Sequence, residues 1–279
     1  MDEPAENPVC YRHPDRPTRL RCSECGRLIC VECSNDAAVG QKCPECSKPH
    51  GRHRVVTAQQ TFGGASFATT PVTFSIIAVT AAIYVLGFLS AEMDNTLIRN
   101  FASVNILIED GEWWRVLTAA FLHGSLFHIG FNMYALYLFG PRLEREVGGP
   151  AFAALYFAAA AGGGAASSIF GPTFVISIGA SGAIFGLFGA WMFVAYKLRA
   201  TPAGRAMFNQ LSVLLAINLA LPIIIPNIDW RAHVGGLITG VGVAWLWSVL
   251  AAGRSNARVI RTVVGTAVLL MALALVVTF

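Results

Sequence analysis

A serine and a histidine stand in apolar runs of this chain, where either one alone would be costly and inert. Ser181 lies within IGASGAIFG and His233 within RAHVGGLITG. A serine hydroxyl is a poor nucleophile until a neighbouring imidazole takes its proton during attack. A Ser–His pair of this kind performs acyl transfer, and the anion it creates needs hydrogen-bond donors. His128 and Asn132, in FLHGSLFHIGFN, are four residues apart, so both face one side of a helix. With a backbone N–H near Ser181, they are the candidate oxyanion donors. A second set of chemistry-bearing residues opens the chain: Cys10-x-x-His13, Cys22-x-x-Cys25, Cys30-x-x-Cys33 and Cys43-x-x-Cys46. These eight N/S ligands in four spaced pairs suit two tetrahedral zinc ions, closed and therefore structural.

The elements that hold these residues fall into two regimes. All seven cysteines and three of the six histidines lie in the first sixty residues. The rest is dominated by long apolar runs, and the chain as a whole is 55% apolar and 13% charged. Soluble domains carry about a quarter charged residues. The reading is a zinc-binding module over 1–48, a polar and basic linker over 49–71, and a membrane body over 72–279. Seven spans are expected, at roughly 72–91, 115–139, 150–170, 175–197, 209–227, 229–251 and 259–279, in an all-α polytopic fold. Pro222 and Pro226 interrupt the fifth, which is tolerated where neighbours satisfy the freed backbone. Arginine and lysine concentrate in the loops on the side of the head, at Arg142, Arg145, Lys197, Arg199, Arg205, Arg254, Arg258 and Arg261. That bias gives a cytoplasmic N-terminus and an outside C-terminus, and the expected location is the plasma (inner) membrane. The acidic start, Met1 to Pro8, does not read as a signal peptide.

With these spans, Ser181 is expected about six residues past the outer start of its helix, ~9 Å deep at 1.5 Å per residue. His233 is expected a few residues and His128 about a dozen residues past theirs, so that the three converge on a wet cavity open to the outside. Gly179, Gly182, Gly186 and Gly189 on one helix and Gly236 and Gly240 on the other allow their backbones to meet. The run from Gly162 to Gly164 reads as close packing. Ser181 could instead be one more small residue at a contact, and His128 with Asn132 could be interhelical glue. His233 could be an interfacial histidine satisfied by water, and His123 reads as structural, bonding the long outside loop. Asp229 lies one turn before His233 and invites a triad role, but an aspartate at the water interface needs no such explanation, and a dyad is expected.

Taken together, GASG at 179–182, His128-xxx-Asn132, the AH-xx-G-xxx-G pattern from Ala232 to Gly240 and the pair Trp114–Arg115 resemble the rhomboid family of intramembrane proteases. The resemblance covers roughly 70–252 and implies a six-helix core, here with a seventh, C-terminal helix. It implies that Ser181 is the nucleophile, His233 the base, and His128 and Asn132 the oxyanion group. Glu144, in PRLERE, resembles a framework acid, and the fifth span matches the lateral gate. Phe185 stands where many members have a tyrosine that stacks on the catalytic histidine. The implied partners are single-span membrane proteins in a lipid bilayer, and the chemistry needs no cofactor.

The cysteine-rich head resembles B-box zinc fingers, in which alternate pairs share a metal. That implies Cys10, His13, Cys30 and Cys33 at one site and Cys22, Cys25, Cys43 and Cys46 at the other. His50 and His53 could replace a ligand, although spare histidines beside a basic linker account for them. So short a module should need its metal to fold. Acids are interspersed among Arg12, Arg16, Arg19, Arg21 and Arg27, so a protein partner is expected and a nucleic acid is not. Two non-protease readings compete, each lacking its expected mark, since Ser181 and His233 are both present and no internal repeat is found. One is a silent rhomboid-like client binder, which would be marked by loss of Ser181 or His233. The other is a proton-relaying transporter, which should show repeats with paired broken helices.

Overall fold

Thiols and short hairpins, with almost no apolar interior, hold the first part of the chain together. The computed structural model describes residues 8–36, 40–47, 66–226 and 228–278. His50, His53, most of the 49–71 linker, the first seven residues and Asn227 lie outside them. Contacts divide the chain into two compact units, 1–61 and 62–279. In the first, β1 (Val9–Cys10) pairs antiparallel with β2 (His13–Pro17), and β3 (Asn35–Asp36) with β4 (Gln41–Lys42). A single helical turn, α1 (Pro44–Ser47), follows. Its buried cluster is Ile29 with Cys10, Cys22, Cys30, Cys33 and Cys43. One aliphatic side chain among five cysteines is too little apolar burial to offset the entropy of folding.

The second unit is helical: α2 (Pro71–Leu89), α3 (Ala91–Phe101), α4 (Asn105–Glu109), α5 (Arg115–Thr118), α6 (Leu126–Val147), α7 (Gly149–Phe170), α8 (Ser181–Lys197), α9 (Pro202–Ile224), α10 (Trp230–Leu250) and α11 (Ala257–Thr278). Five of these, α2, α7, α9, α10 and α11, are each long and apolar enough to cross a membrane. The sixth, α6, passes the same test only together with the helical stretch Arg115–Phe121, from which it is bent by 99°. Helix α8 has 17 residues, about 26 Å at 1.5 Å per residue.

Three expected spans start elsewhere. The second begins at Leu126 and ends at Val147, because Ser125 caps it by accepting from the His128 N–H. The apolar stretch from 115 to 121 is thereby left as a separate short helical element. The fourth begins at Ser181, because Ile176–Ser177 (β6) is extended and pairs with Ser103–Val104 (β5). The fifth begins at Pro202, where Thr201 accepts from the Gly204 N–H and proline fits the first turn.

The core sits around α8, ten of whose residues are buried. It packs most extensively on α10, which also packs along α7, while α11 lies against α7. Glycine makes the α8–α10 contact possible. A methyl group on Gly236 would overlap the Gly182 carbonyl, and one on Gly240 the Gly186 carbonyl. Gly163 approaches the Ala232 carbonyl in the same way, so α7 joins the seam.

A carboxylate from a different helix caps the start of α2. Thr70 makes no side-chain cap, and Pro71 opens the helix. Buried Glu144 of α6 instead accepts from the Val72 N–H at 2.9 Å, the Thr73 N–H at 2.8 Å and the Thr73 hydroxyl at 2.6 Å. An anion at a helix N-terminus also meets the positive end of the dipole. Removing it strands buried donors, so Glu144→Ala should destabilise the bundle by about 2 kcal/mol or more, and Glu144→Gln by less. Thermal unfolding in detergent reads this; an unchanged midpoint in Glu144→Ala would remove the cap from the account.

Candidate active site and metal centres

The first turns of α6, α8 and α10 meet. Ser181 is the first residue of α8, His128 the third of α6 and His233 the fourth of α10. The expected depths of six and a dozen residues for Ser181 and His128 are corrected accordingly, since extended chain or a separate short helix replaces the expected first turns. Ser181 Oγ and His233 Nε2 are 2.9 Å apart. The His233 ring is buried and stacks on Phe185, with centroids 4.2 Å apart and planes at 11°. Phenylalanine therefore makes the stacking contact without a hydroxyl. The other ring nitrogen, Nδ1, is buried with no hydrogen-bond partner among the described residues.

Asp229 does not take the position of a third triad member. Its Oδ1 accepts from the N–H groups of Arg231 and Ala232, capping α10. Its Oδ2 accepts from the hydroxyls of Ser177, at 2.7 Å, and Ser167. Ser177 lies in β6, four residues before Ser181, so this carboxylate fastens the chain entering α8 to the helix that carries His233. An aspartate immediately before an apolar helix is an N-cap signal and was readable as one; Ser167 and Ser177 carry no such signal.

The His128 ring packs against Gly179. A Cβ built on Gly179 would lie 2.6 Å from His128 Nε2, and Gly179 has φ +120°, so glycine is required twice over. Asn132 is buried one turn further along α6, and its amide donates to the His128 carbonyl at 2.9 Å. His123 is not inside a span. It sits in the connection before α6, buried, where its Nε2 lies 3.4 Å from the Ala180 N–H and its ring meets His128 edge to face. Its structural reading therefore gains a specific partner, the residue preceding Ser181. Further out, buried Arg115 binds Glu112 and the carbonyls of Ala102 and Arg99. Asn105 donates to the carbonyls of Ser167 and Pro172. These contacts pin the long loop between α2 and α6.

In the first unit the eight Cys and His side chains form two clusters, Cys10/His13/Cys30/Cys33 and Cys22/Cys25/Cys43/Cys46. This is the alternate grouping that the B-box resemblance implies. Within each, the ligand atoms lie within 4.8 Å of one another. Cys25 Sγ and Cys43 Sγ are 3.8 Å apart. A tetrahedron with Zn–S bonds of about 2.3 Å has edges of about 3.8 Å, so the donor set fits that ion. His13 turns its Nδ1 towards Cys10, Cys30 and Cys33, at 3.8, 3.4 and 3.4 Å. Backbone N–H groups of Cys25 and Cys43 draw the Cys22 thiol down to about 6, towards the thiolate a metal requires.

A helical, multi-pass membrane unit with a serine and a histidine paired at adjoining helix ends, behind a Cys/His module, defines the class. The rhomboid domain model matches residues 110–250, and the B-box zinc finger model matches residues 5–38. Rhomboid protease GluP of Bacillus subtilis is 37% identical over 199 residues, 69% of this chain and 38% of its own length. YdcA of the same organism, whose assignment as a rhomboid protease is provisional, is 32% identical over 176 residues, 63% of this chain and 88% of its own. RHOMBOID-like protein 1 of Arabidopsis thaliana is 38% identical over 145 residues, 49% of this chain and 35% of its own. The chain belongs to the rhomboid family, with a B-box zinc finger ahead of its membrane domain. The B-box match ends before Cys43 and Cys46, which complete the second cluster.

The Asp229 contacts generate a prediction. Asparagine caps helices as well as aspartate does, and a serine hydroxyl can accept from its amide. Asp229→Asn should therefore keep Ser181 reactivity within about threefold, whereas Asp229→Ala should lower it and destabilise the protein by about 1 kcal/mol or more. Loss of reactivity in the Asn variant by ~10⁴, the effect of neutralising a triad acid, would show that the negative charge itself is needed.

Proposed function

We propose that this protein is an intramembrane serine endopeptidase that uses a Ser181–His233 dyad to cleave single-span membrane proteins. The observation that carries the proposal is the 2.9 Å contact between Ser181 Oγ and His233 Nε2, with the ring held by Phe185. In the attack, Ser181 Oγ bonds to the scissile carbonyl carbon while its proton passes to His233 Nε2. His233 then gives that proton to the departing amine as the C–N bond breaks, leaving an acyl ester on Ser181. Water, deprotonated by the same nitrogen, hydrolyses the ester and restores the hydroxyl.

The tetrahedral anion forms beside the start of α8, where backbone N–H groups lack helical partners and the dipole is positive. His128 and the second N–H of the Asn132 amide complete the oxyanion group. Helix α8, at about 26 Å, is shorter than the ~30 Å hydrocarbon core, so its Ser181 end is recessed below one surface. On this reading the dyad opens to water at that recessed end, and this water hydrolyses the ester.

Substrate enters beside α9. Only Gly204 and Leu211 of its 23 residues are buried, and its packing on α8 is slight beside that of α10. A helix so weakly held can move aside at low cost. The active end faces outside, the N-terminal module stays in the cytoplasm, and the membrane is the plasma (inner) membrane. The module binds two structural zinc ions and presents its surface to a protein partner.

Ser181 should be labelled by a fluorophosphonate, with labelling abolished in Ser181→Ala and reduced by about a thousandfold or more in His233→Ala. Equal labelling of wild type and Ser181→Ala would support a silent client-binding protein instead. Native mass spectrometry of the full chain should show about two zinc ions, and a folded module without metal would remove the zinc reading.

A further inference from the structure

Three side chains that ligate nothing connect the two Cys/His clusters. Tyr11 lies inside the Cys10-x-x-His13 knuckle of the first cluster, and Glu45 inside the Cys43-x-x-Cys46 knuckle of the second. The Tyr11 hydroxyl donates to Glu45 Oε2. The Arg27 guanidinium lies 4.6 Å from the centre of the Tyr11 ring and 3.5 Å from Glu45 Oε2. It also turns to the thiols of the second cluster, with Nε 3.3 Å from Cys25 Sγ and Nη2 3.8 Å from Cys43 Sγ. The Arg27 carbonyl in turn accepts from the Cys22 N–H at 2.9 Å, and the Tyr11 N–H donates to the Leu28 carbonyl at 2.9 Å. Arg27 thus touches the second cluster through two side-chain bonds and one backbone bond, and Tyr11 through its ring, while the Tyr11 hydroxyl binds Glu45.

From this arrangement we infer that Tyr11, Glu45 and Arg27 form a bridge that couples the two metal sites, so that an ion in either one raises the affinity of the other. The inference rests on the reading that both clusters bind zinc. Closing the first site fixes the Cys10–His13 knuckle and with it the Tyr11 ring and hydroxyl. The fixed Tyr11 holds Arg27 from one face and Glu45 from the other. Held there, Arg27 offers its N–H groups to Cys25 and Cys43. Four thiolates exceed the charge of one divalent cation, and a guanidinium bonded to two of them offsets the surplus. The first site has a neutral imidazole in its set and less surplus charge to offset. Its cysteines are all buried, whereas Cys25 of the second is exposed. The second site, with the larger surplus, therefore gains more from an outer partner. Coupling between two binding equilibria is reciprocal, so the first site gains by the same factor.

The bridge differs from the coupling inherent in a chain whose ligand pairs alternate between two sites. Tyr11→Phe leaves the alternation, every ligand and the ring beneath Arg27 in place, and removes only the hydroxyl that holds Glu45. Arg27→Gln removes the donor to the thiols. The full-length protein, released from detergent for native mass spectrometry, is titrated with a zinc chelator, and the two-ion, one-ion and metal-free populations are counted. Wild type should pass from two ions to none with little one-ion species. Tyr11→Phe and Arg27→Gln should each raise the one-ion species at half-release by at least about threefold, within the range measured for directly coupled residues. Asp36→Asn serves as the control, because it removes a charge on the same module whose bond is to the Gln41 amide. It should leave the distribution as in wild type. Two ions bound with the same distribution in wild type and both bridge variants would overturn the bridge alone. A wild-type protein that binds no zinc would instead overturn the metal reading beneath it, and the bridge with it.

Discussion

Backbone-to-backbone contact between α8 and α10 is the constraint on which the rest of the structure depends. Lipid chains are as apolar as leucine, so two helices in a bilayer gain little from hiding aliphatic side chains against each other. They gain by close approach, and close approach needs residues without side chains. Gly182 and Gly186 present their carbonyls to Gly236 and Gly240, where a single methyl group would overlap them. At that separation a short side chain at the head of one helix meets a ring on the next, and Ser181 lies within a hydrogen bond of His233. The same seam brings Phe185 face to face with the imidazole.

Around that seam, charged and polar groups act as fasteners. Glu144 caps the start of α2 from a different helix, Asp229 joins β6 to α10, and Arg115 and Asn105 hold the long loop to the carbonyls it passes. Each satisfies backbone donors or acceptors that would otherwise be stranded in an apolar medium, where an unpaired group is expensive. The fasteners cluster at helix ends, where the unpaired groups are. Ser181 and His233 sit at helix ends as well, so the groups that anchor the loops also set the geometry of their contact. In the module the same logic operates with thiols, since Ile29 and five buried cysteines leave no apolar core to do the folding.

The sequence made some of this plain. Ser181 and His233 were readable as partners because both are polar residues in apolar runs and both are followed by glycines at helical spacing. Four Cys/His pairs were readable because two-residue spacing suits one tetrahedral ion, and the alternate grouping came with the resemblance. Helix starts were harder. The run from 175 to 180 is apolar and small, and a short apolar strand cannot be told from a helix by periodicity. Its pairing with Ser103–Val104 depends on a partner more than seventy residues away. Leu126 and Pro202 were different, since Ser125 and Thr201 are ordinary caps that the length of the apolar runs obscured. Residues such as Ser167 and Ser177 had no local signal, because their partner, Asp229, is supplied by the fold.

The most direct test of the central claim compares two glycines on α10. Gly240 meets the Gly186 carbonyl, whereas a Cβ on Gly242 would have no neighbour within 4 Å. The rate of fluorophosphonate attachment to Ser181 should be unchanged in Gly242→Ala. In Gly240→Ala it should fall by about a hundredfold, the penalty for displacing paired reacting groups by an ångström. Labelling of the Gly240 variant at the wild-type rate would contradict the claim that the helix seam sets the dyad.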